Sequence, residues 1–162
     1  MSTQIEDKVT ATEKLLNVVA LLRDKQHGCP WDIEQTLKSL TVYTLEEVYE
    51  VVDAIESGDM VQVEDELGDL LFQVVFHAQL AEEQGLFDFE QVAAGIADKL
   101  TRRHPHVFAD IVYASEAEQQ LAWETLKESE RAAKEVENHT ILSGVAKNLP
   151  ALVQCRKIQD NV

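Results

Sequence analysis

Four acidic residues offer the clearest chemistry in this chain: Glu47 with Glu50, and Glu66 with Asp69. Each pair is spaced i, i+3, which on a helix turns both side chains to one face. If the two helices face each other, the four carboxylates form an oxygen-only donor set. Such a set suits Mg²⁺, with Mn²⁺ as an alternative, rather than zinc. A di-iron bundle would need Glu-x-x-His pairs on its helices, and none occurs. No twelve-residue loop with a central Gly supports a calcium EF-hand. An open Mg²⁺ site commonly completes its shell with substrate phosphates.

The charge around these residues sharpens the reading. The 162 residues carry 14 Lys+Arg against 30 Asp+Glu, a net charge of −16. Between Lys38 and Lys99 there is no Lys or Arg, yet fifteen of the acids fall there. A solvated acidic face or a disordered like-charge block would also give such a run. Disorder fails, because the same segment holds the most apolar stretch of the chain, 70–80. Clustered charges need pairing or coordination, and no local base supplies it, so a divalent cation is expected. A chain this acidic is a poor ligand for nucleic acid or an anionic membrane surface. No apolar stretch is long enough to span a bilayer, and the N-terminus lacks the pattern of a secretory signal. Cys29 and Cys155 form no CxxC pair, which fits a reducing cytoplasm.

The elements that must position the acids read as helices throughout. The pattern predicts helices over 10–24, 44–57, 59–84, 88–103 and 115–137, a short helical piece after Trp31 and another over 151–159. The fold class is therefore all-α, a bundle of about five helices. Thr44-Leu45-Glu46-Glu47 has the form of a capping box, Gly58 of a C-terminal stop, and Asp59, Asp88 and Ser115 of N-caps. His104-Pro105-His106 reads as a loop. Residues 1–112 are expected to form the metal-binding core, with 113–162 an outer helix and a linker-like tail.

Helix 44–57 is amphipathic, with Glu46, Glu47, Glu50 and Asp53 on one side. Alone, it could simply be a helix with a solvated acidic face. The next helix is apolar around most of its circumference, from Leu67 to Leu80, which predicts burial in a bundle or an oligomer. Its one polar stripe is Glu66, Asp69, Gln73 and His77. His77 reads as a hydrogen-bonded core residue. Lys99 and Arg103 share a face at the end of helix 88–103, beside Arg102. They could satisfy the helix dipole or hold phosphate oxygens. Trp31 could be core packing or a platform for a base, and Trp123 reads as packing on an outer helix.

Gly28-Cys29-Pro30-Trp31-Asp32, Glu47-x-x-Glu50, Glu66-Leu67-Gly68-Asp69 and Arg102-Arg103-His104-Pro105-His106-Val107-Phe108 follow one another in that order. In this combination the chain resembles the MazG family of nucleoside triphosphate pyrophosphohydrolases. These belong to an all-α superfamily that includes dimeric dUTPases and phosphoribosyl-ATP pyrophosphohydrolase. The resemblance is close over 15–109 and looser beyond. It implies Mg²⁺-dependent hydrolysis of a nucleoside triphosphate at the α–β bond, giving NMP and pyrophosphate. It implies that Glu47, Glu50, Glu66 and Asp69 bind the metals, and that Glu46 or Glu47 positions the attacking water. It places Lys99 and Arg103 toward phosphate, with Arg102 counted beside them, and Trp31 on the nucleotide side. It also implies a homodimer or homotetramer, which would cover the apolar helix. Long members carry a second, related metal motif after a linker, and Leu149-Pro150-Ala151-Leu152 has that linker character. The alternative function is a non-catalytic half that binds metal or nucleotide and serves assembly or regulation.

Overall fold

Thr10 opens the first helix with a reciprocal cap. Its Oγ1 accepts from Glu13 N–H at 3.1 Å, and Glu13 Oε2 accepts from Thr10 N–H at 2.7 Å, satisfying two backbone donors that a helix start leaves unpaired. The computed structural model describes residues 9–134, 146 and 149–159, and these are all-helical, with no strand among them. The elements are α1 (Ala11–Leu22), α2 (Pro30–Glu34), α3 (Thr41–Ser57), α4 (Met60–Glu82), α5 (Phe89–Arg103), α6 (Pro105–Phe108), α7 (Glu116–Lys134) and α8 (Ala151–Gln159). Five of them are the long helices the sequence predicts. The expected end of the fifth, near 137, lies outside the described residues, as do the first eight residues.

Two boundaries differ from the sequence reading. Thr44 does not cap a helix: α3 begins three residues earlier, at Thr41. Leu40 holds the N-cap position without a side-chain cap; just upstream a reciprocal turn closes, where Thr36 N–H donates to Ser39 Oγ at 2.9 Å and Ser39 N–H donates to Thr36 Oγ1 at 3.1 Å. That turn delivers Leu40 into the core at 1% exposure and starts the helix directly behind it. Second, His104-Pro105-His106 is not a plain loop. Pro105, with its fixed φ and missing N–H, sits at the first position of the four-residue α6, a place proline suits.

The connection between α3 and α4 sets the carboxylates face to face. Gly58 takes φ +76°, a left-handed conformation that glycine enters without a Cβ penalty. Asp59 follows, its Oδ1 accepting from Val61 N–H at 3.0 Å and Gln62 N–H at 3.3 Å. So tight a turn sends α4 back alongside α3, and α1 packs on α4 as well. Val19, Leu40, Val75, Phe76 and Leu80 form the buried core, flanked by Leu15, Leu16, Leu37, Tyr43, Phe72 and Phe89. Each such side chain stabilises the fold by roughly 1.5–3 kcal/mol relative to exposure.

The prediction that α4 is buried on nearly all sides holds only for its second half. Leu67, Leu71 and Val74 are exposed in the single chain, because α1 and the core meet α4 near Val75–Leu80 and leave the earlier turns open.

Arg23 ties α2 to this layer. Its guanidinium donates to the carbonyls of Asp32, Ile33 and Gln35, forms two bonds to the Glu83 carboxylate, and lies 5.8 Å from the Phe76 ring centroid. Gly28 makes the preceding turn possible: a Cβ there would lie 2.3 Å from the Leu22 carbonyl oxygen and 2.6 Å from that of Asp24.

The chain divides into two compact units, Met1–Ala97 and Asp98–Val162, so the boundary falls inside α5. In the second unit, Arg102 and Arg103 at the end of α5 both pair with Glu130 of α7, each at 2.6 Å. Ser115 caps α7, its Oγ accepting from Glu118 N–H at 3.2 Å.

Candidate metal centre

Glu47 comes from the second turn of α3, and Glu66 and Asp69 come from adjacent turns of α4. One carboxylate oxygen from each lies within 4.8 Å of the others. Glu47 and Glu66 are half-buried and Asp69 is exposed, so the group opens to solvent on one side. Among the described residues, no Lys, Arg or His pairs with any of the three, or with Glu50.

The electrostatic strain registers on Glu47. Burial raises its pKa above the ordinary carboxylate value, and Glu50 and Asp69 push in the same direction. Gln73 opposes them, its Nε2 donating to Glu47 Oε1 at 3.4 Å. Like charges crowded without a base raise a carboxyl pKa until a cation arrives.

The donor set fits a hard divalent cation. All three groups are carboxylates, matching the oxygen preference of Mg²⁺ and Mn²⁺. The nearest imidazole on the stripe, His77, is engaged elsewhere: its Nε2 lies 3.0 Å from Thr44 Oγ1. Burial lowers the His77 pKa, which favours a neutral ring.

Three of the four expected metal ligands therefore come together. Glu50 stands one turn beyond Glu47, close enough to raise its pKa but outside the group of three. Glu46 is exposed on α3 and also outside it. Trp31 is neither buried nor free: it is 47% exposed and meets Tyr43 edge-on, with centroids 5.4 Å apart. Lys99 is half-buried on α5. Arg102 and Arg103 are both held by Glu130, whose carboxyl they pull down to about 2.

The second unit holds one feature that the sequence reading missed. A cavity of about 210 Å³ is lined by Arg103, His104, His106, Tyr113, Gln119 and Trp123, among others. Gln119 Nε2 donates to His106 Nε2 at 3.1 Å, so the ring hydrogen sits on Nδ1, which is buried without a partner. Gln119 and Trp123 are one helical turn apart, so their shared face was readable. What lies opposite them was not.

The structure is an all-helical layer that sets a carboxylate group across two returning helices, a donor set that could hold a hard divalent cation. Residues 35–108 match the family described as the MazG nucleotide pyrophosphohydrolase domain. The chain is 51% identical over 147 residues to the nucleoside triphosphate pyrophosphohydrolase of Escherichia coli K12, covering 91% of this chain and 55% of that protein. It is 40% identical over 149 residues to the Thermotoga maritima nucleoside triphosphate pyrophosphohydrolase/pyrophosphatase MazG, covering 92% and 55%. Its fold is similar to the crystal structure of a MazG-related protein from Thermotoga maritima, with a TM-score of 0.60 at 26% identity over 72% of this chain and 98% of that one. The chain carries a MazG domain and in that segment belongs to the MazG family. It spans about half the length of the curated relatives named here. Among the described residues, no helix is long and apolar enough to cross a membrane.

Proposed function

We propose that this chain hydrolyses nucleoside triphosphates at the α–β bond, giving NMP and pyrophosphate with Mg²⁺, or with Mn²⁺ in its place. The observation that carries the reading is the group of Glu47, Glu66 and Asp69, drawn within 4.8 Å and, among the described residues, without an ion-pair partner. Its likeness to proteins named as nucleoside triphosphate pyrophosphohydrolases supports the substrate class. Residues 1–112 would form the working core, with 113–162 an outer helix and linker.

Glu47, Glu66 and Asp69 would hold the cation, with Glu50 recruited from the next turn of α3. When bound, the cation draws charge from the phosphates and lowers the pKa of a nearby water. Glu47 is better placed than Glu46 to orient the attacking water, since Glu47 belongs to the group and Glu46 lies outside it. Lys99, Arg102 and Arg103 are the candidates for phosphate oxygens, and Trp31 for the nucleoside. The free thiols Cys29 and Cys155 are consistent with a cytoplasmic protein.

One observation favours the second reading, a non-catalytic half that binds metal for assembly or regulation. Both guanidinium groups that would meet phosphate are already bound to Glu130. The two readings separate on products. A panel of NTPs and dNTPs with Mg²⁺ should yield NMP and pyrophosphate in equal amounts. NDP with orthophosphate would overturn the assignment. Metal binding without turnover would establish the second reading.

A further inference from the structure

Gln73 lies one turn beyond Asp69 on α4 and is 4% exposed. Its Nε2 donates to Glu47 Oε1 at 3.4 Å. A carboxylate can only accept, so an amide facing it must present NH₂ and turn its carbonyl the other way. That carbonyl oxygen, Oε1, is buried and has no hydrogen-bond partner. Buried polar atoms are nearly always paired, and an orphan among them needs a reason. An apolar side chain of equal length would fill this position without the cost. The orphan belongs to the residue whose amide NH₂ faces Glu47, so its cost goes with that contact.

We propose that Gln73 is a positioning residue for the metal centre. Its NH₂ group donates to Glu47 Oε1 and so restricts the rotation of the carboxylate that would meet the cation. Groups that orient metal ligands in this way typically change affinity by roughly 10–100-fold when removed. The inference rests on the metal reading of the carboxylate group and adds a residue outside that group to it.

The test is Mn²⁺ binding, followed by electron paramagnetic resonance of the free ion, in wild type, Glu66→Gln and Gln73→Met. Thermal midpoints are taken in EDTA. Methionine keeps the length of the side chain and removes both polar atoms. Gln73→Met should weaken Mn²⁺ binding by roughly 10-fold or more, while its midpoint in EDTA stays at or above that of wild type, because the orphan is gone. Unchanged Mn²⁺ affinity in folded Gln73→Met overturns the role of Gln73 and leaves the metal reading standing, provided Glu66→Gln loses affinity. No Mn²⁺ binding by wild type overturns both. Gln73→Leu serves as the second variant if the methionine protein does not fold.

Discussion

Thr44 Oγ1 and His77 Nε2 lie 3.0 Å apart across the seam between α3 and α4, one turn from the contact between Glu47 and Gln73. Thr44 donates its own proton to the Leu40 carbonyl at 3.0 Å, so His77 Nε2 must carry the hydrogen between them. The stripe is thus a ladder of polar rungs, neutral at the His77 end and crowded with acids at the other.

This arrangement sets a pH dependence. Burial lowers His77 below its ordinary value near 6.5. Between the two values the unfolded chain binds the proton more readily, so the contribution is intact above about 6.5 and is lost as pH falls through the lowered value. Glu47 acts in the opposite sense in the absence of metal: its pKa is raised, so protonation in acid relieves crowding. Thermal midpoints in EDTA, taken from about pH 7 to about pH 5.5, should therefore fall more steeply in wild type than in His77→Gln. Parallel curves would exclude a titrating His77.

Removing one charge from the acidic group should not weaken the metal-free fold. At an effective dielectric near 20, two unit charges ~5 Å apart repel by about 3 kcal/mol before screening. Solvation and proton uptake reduce this to about 1–2 kcal/mol. Glu66→Gln should match or exceed wild type in EDTA and lose most of the midpoint gain given by Mg²⁺. Glu50→Gln, outside the group of three, should lose less of it. A Glu66→Gln protein much less stable in EDTA, with its Mg²⁺ gain intact, would contradict a metal-binding role, since that is the behaviour of a broken buried ion pair.

Trp31 should answer to ligand more than to stability. A fully buried Trp costs ~3–5 kcal/mol when truncated. Trp31 is half-exposed, and its edge contact with Tyr43 is the kind of ring pair worth about 0.5–1.5 kcal/mol. Urea denaturation of Trp31→Ala should show a loss nearer the smaller figure. Trp31 fluorescence, read in a Trp123→Phe background, should change on adding NTP with Ca²⁺. A large stability loss with no spectral response would return Trp31 to a purely packing role.

On the proposed function, Glu130 competes with phosphate for Arg102 and Arg103. The two guanidinium groups hold its pKa at about 2, so the pairing contributes above the ordinary carboxylate range and is lost as pH falls toward 2. Glu130→Gln should lower the thermal midpoint at neutral pH and tighten binding of inorganic pyrophosphate, measured by calorimetry. Weaker pyrophosphate binding would mean that Glu130 orients the arginines for phosphate rather than occupying them.

The open apolar face of α3 and α4 predicts self-association. Leu45 is 52% exposed and Ile55 59% exposed on α3, with Leu67 and Leu71 exposed on α4. Light scattering at tens of micromolar should give a homodimer or homotetramer, and Val52→Glu should shift it to a smaller species. A wild-type monomer would refute this.

The helices and their stops were legible because local chemistry sets them: Thr10 with Glu13, Gly58, Asp59, and Asp88 with Gln91 behave as their residue types require. Thr44 was misread because its neighbours mimic a cap, while α3 starts at Thr41 behind Leu40 with no side-chain cap, out of a turn whose direction depends on where Leu40 is buried. The i, i+3 acids announced a carboxylate group, and Gln73 and His77 stood on the same stripe. The exclusion of Glu50 and Glu46 from the group of three depends on the azimuth of α3 against α4, which no spacing within one helix encodes. The cavity beside Trp123 was hidden for the same reason, because Tyr113 and His106 reach it from outside α7.

The Arg23 knot carries a consequence for the order of folding. Helix α2 is only five residues long, too short to persist on its own helical propensity. Its last carbonyls rest on a guanidinium anchored to Glu83, sixty residues away in sequence. A contact of that span forms only after a long loop has closed. Trp31 therefore reaches its native setting after α1 and α4 have docked. Its fluorescence is a late clock: it marks the moment when the hairpin of α3 and α4, assembled from local contacts, becomes joined to the rest of its unit.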